Sequence, residues 1–154
     1  MKEKIRGFEH VSKENREYGK KGKLPTRSTS ASAGYDFYSP IQFKIHRGET
    51  KLVFTNVKAF MREKEYLQLS IRSSLALKRN LILVNSPGIV DADYYNNPDN
   101  EGNIGIMLRN IGQRPVEIKE GERIAQGIFQ TYFIADEDYN DEEREGGFGS
   151  TGNK

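Results

Sequence analysis

Apolar and polar positions alternate with a period of two along short runs of this chain. Tyr66-Leu67-Gln68-Leu69-Ser70-Ile71 places Leu67, Leu69 and Ile71 on one face, and Ile41-Gln42-Phe43-Lys44-Ile45 repeats the pattern. The same reading predicts short strands over 5–11, 52–57, 81–84, 104–108, 116–118 and 124–132. Arg47-Gly48, Ile111-Gly112 and Glu120-Gly121 separate several of them, and Gly19 through Ser32 reads as loop. A single helix is predicted, Ser73 to Arg79, capped by Ser73 or Ser74. Many short strands divided by turn signals indicate an all-β barrel or sandwich. No internal repeat is visible, and 154 residues suffice for one domain with its own core.

Composition narrows the function classes. Hydrophobic residues make up 35% of the chain and charged ones 30%, with a mean hydropathy of −0.76. A chain this polar is suited to burying part of its apolar surface between subunits. No cysteine is present, which excludes disulfides and thiolate zinc sites. His10 and His46 are the only histidines, too few for a histidine-built metal centre and poor material for a Ser-His-Asp triad. No run of about 18 apolar residues exists to span a membrane, and the charged N-terminus lacks the apolar segment of a signal peptide. The expectation is a soluble, cytoplasmic protein. A net charge of +2 does not imply nucleic-acid binding. Residues 1–27 are basic and 136–145 acidic; the first could serve as a nucleic-acid arm and the second as an interaction tail, but such runs more often read as solvated faces or hinges, here an N-terminal strand and loop (1–23) and a hinge (136 onward).

Candidate chemistry lies in the breaks between strands. Gly34 permits a tight backbone beside Asp36, whose carboxylate serves either a turn or a ligand. Arg72-Ser73-Ser74 combines a guanidinium, two hydroxyls and the start of the predicted helix, a set that suits an anion. In Asn85 through Tyr94, Asp91 follows the apolar pair Ile89-Val90, at the core's edge, where a carboxylate can act as a general base on water. Tyr94 could pack on a sugar or simply be half buried. Arg123-Ile124-Ala125-Gln126 opens a strand with a glutamine that is either a contact or a surface residue. The last eleven residues, Arg144–Lys154, carry four glycines, Ser150, Thr151, Arg144 and one aromatic, Phe148. So glycine-rich an arm has little to bury and is costly to order. It does offer N–H groups and a guanidinium to a polyphosphate and a ring to a base.

Taken in order, A-G-Y-D at 33–36, R-S-S-L-A at 72–76, G-I-V-D-A-D-Y at 88–94, R-I-A-Q at 123–126 and G-G-F-G-S-T-G at 146–152 resemble the five motifs of the trimeric dUTP diphosphatases (dUTPases). The resemblance runs from about Leu24 to the C-terminus, and the R-G-F-E start is similar to phage and prophage members. It implies a distorted jelly-roll-like β-barrel of the dUTPase β-clip kind, assembled as a homotrimer. Active sites would lie at subunit interfaces, with a mobile arm closing over a neighbour's site.

The resemblance also implies roles. Asp91 would activate a water for in-line attack on the α-phosphorus of dUTP, releasing dUMP and pyrophosphate. Mg²⁺ would be held mainly by the phosphates, with Asp36 contributing through a water. Arg72, Ser73, Ser74 and Gln126 match phosphate contacts. Asn85, Gly88 and Gly105 match the uracil pocket, and Tyr94 would pack under the deoxyribose. Phe148 would stack on uracil while Arg144, Gly149, Ser150 and Thr151 hold the outer phosphates.

The chain departs from the family pattern in four places. One residue rather than two separates Arg144 from Gly146-Gly147, which puts the reach of Arg144 in question. Ser74 stands where glycine is common. Gly127 replaces a larger aliphatic residue, an expected packing loss. Residues 95–101 form an insertion that reads as a surface hairpin tip, more tolerant of shortening than the arm. Two other classes are compatible with the sequence: a dCTP deaminase-type relative, which would need a glutamate base this pattern lacks, and a dUTP-sensing trimer with a regulatory protein partner.

Overall fold

The computed structural model describes residues 1–149. Among these residues eleven strands and one α-helix follow in order: β1 (Gly7–His10), β2 (Tyr35–Tyr38), β3 (Phe43–Ile45), β4 (Thr50–Phe54), β5 (Val57–Phe60), β6 (Glu65–Ser70), α1 (Ser73–Arg79), β7 (Leu81–Leu83), β8 (Gly88–Asp91), β9 (Gly105–Asn110), β10 (Val116–Ile118) and β11 (Arg123–Thr131). They form a four-stranded sheet β2-β11-β6-β8, a three-stranded sheet β4-β9-β7, and the pairs β1-β5 and β3-β10. Every pairing is antiparallel. The result is an all-β barrel, as the periodicity predicts, of the distorted jelly-roll-like kind that the resemblance implies. Among the described residues no helix is long and apolar enough to cross a membrane.

The alternation in β6 explains why the core sits where it does. Glu65, Leu67 and Leu69 are buried while Tyr66, Gln68 and Ser70 are half-buried. Leu67 belongs with Phe37, Ile45, Ile104, Ile106, Leu108 and Ile124 to one buried cluster. Burial of each such side chain stabilises the fold by roughly 1.5–3 kcal/mol against exposure. Phe8 of β1 closes one side, its ring centroid 5.2 Å from Tyr35, 5.5 Å from Phe37 and 5.3 Å from Phe129.

Four local expectations change. The predicted run 52–57 is two strands, β4 and β5, turned apart at Asn56 (φ 60°). Asn56 is fully buried because its side chain bonds Glu17, Lys20 and Asn103, which outweighs continuing the strand. Strands β2 and β8 were legible only as motif segments, since neither alternates for long enough. Neither Ser73 nor Ser74 caps α1: the cap position is Arg72, without a side-chain cap bond. Gly127 leaves no packing defect, since a Cβ there would stand 2.9 Å from the Phe37 ring and 3.0 Å from Leu67 Cδ1. The ring occupies the space a larger residue would need.

Candidate active site

Two groups of motif residues form, at separate places on the four-stranded sheet. In the first, β2 pairs with β11 so that Asp36 faces Gln126, and β11 pairs with β6 so that Gln126 faces Ser70. Arg72, just past β6, donates from Nε to Asp36 Oδ1 at 2.9 Å. The other Asp36 oxygen accepts from Ser28 Oγ at 2.9 Å and lies 3.6 Å from Arg123 Nη1. Arg72 Nη1 also reaches Ser74 Oγ at 3.4 Å. Gly34 lets Gln126 come close: a Cβ at Gly34 would stand 2.6 Å from Gln126 Oε1. Ser73 is exposed beside this group.

The second group surrounds a cavity of about 330 Å³ beside β8. Leu69, Val90 and Ile104 supply its apolar wall, with Asn85, Gly88 and Gly105 at one side and Asp91, Tyr94, Arg144 and Phe148 at the other. Gly88 and Gly105 keep it open, since a Cβ at either would meet Leu69 Cβ at 3.0 Å or Leu52 Cδ1 at 2.9 Å. Tyr94 is buried and donates from its hydroxyl to the Asn103 carbonyl at 2.7 Å. Burial raises its pKa above the ordinary tyrosine range, against the opposing effects of the Asn100 hydrogen bond and Arg144, so the phenol stays a donor. Asp91, at the end of β8, is half exposed to solvent.

The arm lies over this same pocket. Arg144 donates from Nη2 to Asp91 Oδ2 at 2.6 Å and from Nε to Asp93 Oδ1 at 2.7 Å. Its guanidinium carbon stands 5.7 Å from the Tyr94 ring centroid. Phe148 meets Phe54 edge-on, with centroids 6.3 Å apart. The shortened spacing to Gly146-Gly147 therefore does not keep Arg144 from the site. Gly149 lines the pocket, and Ser150 and Thr151 lie outside the described residues.

Motif reading missed several contributors. Ser28 and Arg123 hold Asp36, Asp93 shares Arg144, and Phe54 receives Phe148. Asp93, two residues after Asp91, and Arg123, which opens the R-I-A-Q segment, carry a visible signal; Ser28 and Phe54 come from outside the motifs.

Comparison with known proteins decides what this pattern belongs to. A family profile described as dUTPase matches residues 20–152. The chain belongs to the dUTPase family. It is 48% identical over 152 residues to the deoxyuridine 5'-triphosphate nucleotidohydrolase of Lactococcus lactis subsp. lactis, covering 97% of this chain and 99% of the relative. The crystal structure of the dUTPase from Streptococcus mutans matches with a TM-score of 0.74 and 41% identity, over 84% of this chain and 98% of that one. A mutant dUTPase from phage phi11 of S. aureus, described as coordinating a structural Mg(II) ion, shares the fold with a TM-score of 0.71 at 21% identity, over 90% and 98% of the two chains. The all-β barrel, the motif order and the dUTPase family assignment thus agree.

Proposed function

We propose that this dUTP diphosphatase seats uracil against Gly88 and Gly105, under Phe148, and uses Asp91 to take a proton from the water that attacks the α-phosphorus. The observation that carries the reading is Asp91 at the mouth of the β8 cavity, within reach of solvent and directly under the arm's arginine. Attack expels pyrophosphate as the P–O bond to the β-phosphate breaks, leaving dUMP. Tyr94, its hydroxyl already committed to Asn103, presents its ring to the deoxyribose and crowds a 2′-hydroxyl. Arg144 is drawn from Asp91 and Asp93 toward the more highly charged triphosphate, which frees the base as the substrate is clamped.

Metal enters this scheme with the substrate. Both oxygens of Asp36 are engaged, by Arg72 and by Ser28 with Arg123 alongside, and two guanidinium groups make a poor neighbourhood for a cation. The donor set does not fit Asp36 as a direct metal ligand, and in this reading its part is to orient Arg72 toward phosphate. Mg²⁺ would arrive on the triphosphate, which supplies hard oxygen donors of its own.

A shared site follows from the separation of the two groups. Asp36 and Asp91 lie on the first and fourth strands of one sheet and four residues apart along β6, roughly 20 Å by strand spacing and rise. A triphosphate held at Asp91 cannot also reach Arg72 of the same chain. Another subunit must bring its Asp36–Arg72 group, as a homotrimer would. The exposed Tyr132, Phe133 and Ile134, and Leu52 and Ile82 on the three-stranded sheet, supply apolar surface for such contacts. Within the chain described, the arm lies over the pocket beside its own β8, and β11 ends opposite the start of β6, two strands from Asp91, about 10 Å away.

The test is pyrophosphate release from dUTP with Mg²⁺, beside dCTP, dTTP and UTP, for wild type and Asp91→Asn. Turnover confined to dUTP and reduced 10²- to 10⁴-fold in the variant is expected, the usual contribution of a general base. Equal turnover by the variant would remove Asp91 from the mechanism. Co-expression of Asp91→Asn with Arg72→Ala chains should restore part of the activity neither has alone. No restoration would argue against sharing.

A further inference from the structure

The insertion 95–101 is a folded platform rather than a hairpin tip. Buried Lys58 donates to Asn96 Oδ1 at 2.6 Å and to Glu101 Oε1 at 3.2 Å. Glu101 Oε2 accepts the Ser12 N–H at 2.7 Å, and Tyr95 donates to Glu9 Oε2 at 2.7 Å. These bonds fix the underside of the loop to β5 and to the N-terminal segment. Inside it, buried Asn97 donates to the Tyr94 carbonyl and Asn100 Oδ1, both at 2.8 Å, and accepts the N–H groups of Asp99 and Asn100. Backbone with positive φ at Asn96, Glu101 and Gly102 shapes the turn.

The upper side of this platform faces the arm. Asp99 Oδ2 accepts the Gly147 N–H at 3.2 Å. Gly147 is buried there, and a Cβ on it would stand 2.7 Å from Asp99 Oδ2 and 3.0 Å from Asn100 Cγ. Asn100, whose side chain forms that wall, donates to the Tyr94 hydroxyl at 2.9 Å. The contact falls between Arg144 and Phe148, the two arm residues that meet the base and the cavity. Only a backbone without a side chain fits so closely, so the register of the arm over Asp91 is set here.

We propose that Asp99 is a positioning residue: it docks the arm by accepting the Gly147 N–H, and so places Arg144 and Phe148 over the Asp91 pocket. The proposal rests on the assignment of Asp91 and the arm to the reaction. A carboxylate acceptor makes the bond strong enough for its loss to shift docking about tenfold.

An arginine-specific protease reads docking without chemistry, since Arg144 is shielded when the arm is down. Release of residues 145–154, followed by mass spectrometry, should be about tenfold faster for Asp99→Ala than for wild type. The same variant should lose about tenfold in kcat/KM for dUTP at an unchanged melting temperature. Asp99→Asn, which keeps an acceptor oxygen but loses its charge, should fall between wild type and Asp99→Ala in both readouts. Gly147→Ala, which leaves the loop intact, should repeat the faster release and covers the case in which Asp99→Ala folds poorly. Equal release from wild type, Asp99→Ala and Gly147→Ala would overturn the proposal while leaving Asp91's role standing. Faster release with kcat/KM unchanged would equally remove Asp99 from the reaction. A fully active Asp91→Asn chain would sink the catalytic assignment instead, whatever the protease shows.

Discussion

Arg144 Nη2 stands 2.6 Å from Asp91 Oδ2, so the arm's arginine rests on the carboxylate assigned as general base. Its Nε takes Asp93 at 2.7 Å, and the side chain is only 10% exposed. The guanidinium thus has two alternative anionic partners, the paired carboxylates and the triphosphate. Arg144→Ala removes the clamp and should lower kcat/KM for dUTP by about 10²-fold, the scale of losing one charge-stabilising donor. Arg144→Lys should recover little of it, because an ammonium cannot span two acceptors as the planar fork does. Steady-state pyrophosphate release checks both, and full recovery with lysine would count against the bidentate role.

Asp36 offers a test of where the metal sits. With its oxygens on Arg72 and Ser28, Asp36→Asn disturbs the guanidinium and not a cation. We expect kcat/KM to fall about tenfold or more, as for a lost charge-assisted bond, while the Mg²⁺ concentration giving half-maximal rate stays the same. A marked rise in that concentration would return Asp36 to the metal.

Glu101 makes part of the stability pH-dependent. Burial pushes its pKa up, but the Ser12 hydrogen bonds and Lys58 outweigh burial and hold it below the ordinary glutamate value of 4.5. The folded chain therefore binds fewer protons than the unfolded one just below pH 4.5. Stability from this group is present above that pH and is lost as the pH falls through the lower folded value. Glu101→Gln should melt lower than wild type at pH 7, with the gap narrowing on acidification below 4.5. A gap that stays constant would show that the charge on Glu101 is not what holds the loop.

Gly127→Ala probes the packing under β11. The added methyl would stand 2.9 Å from Phe37 and 3.0 Å from Leu67, both fully buried. Overpacking of this kind costs about 1–3 kcal/mol, which chemical denaturation would register as a lower midpoint at unchanged slope. A more stable variant would mean that space remains there after all.

The bonds of the insertion put an expectation to the test. As a hairpin tip, 95–101 should tolerate shortening better than the arm. Its bonds to Lys58, Ser12, Tyr94 and Gly147 make shortening costly to the pocket as well as to the loop. Asn, Pro and Asp composition marks a turn, but not whether that turn is bonded from several sides.

Local residue order was enough to reveal strands such as β6, which alternates, and β11, an apolar-rich run, together with the chemical inventory in motif order. Local period and residue type suffice for those. Folding in three dimensions is what commits Asp36 to Arg72, sets Asp91 three strands away from it, and lets Arg144 span Asp91 and Asp93. It also decided that Phe37 fills the space at Gly127 and that Asp99 meets Gly147. Each of these joins segments tens of residues apart through sheet register, and register follows from burying the whole core at once rather than from any one stretch of chain.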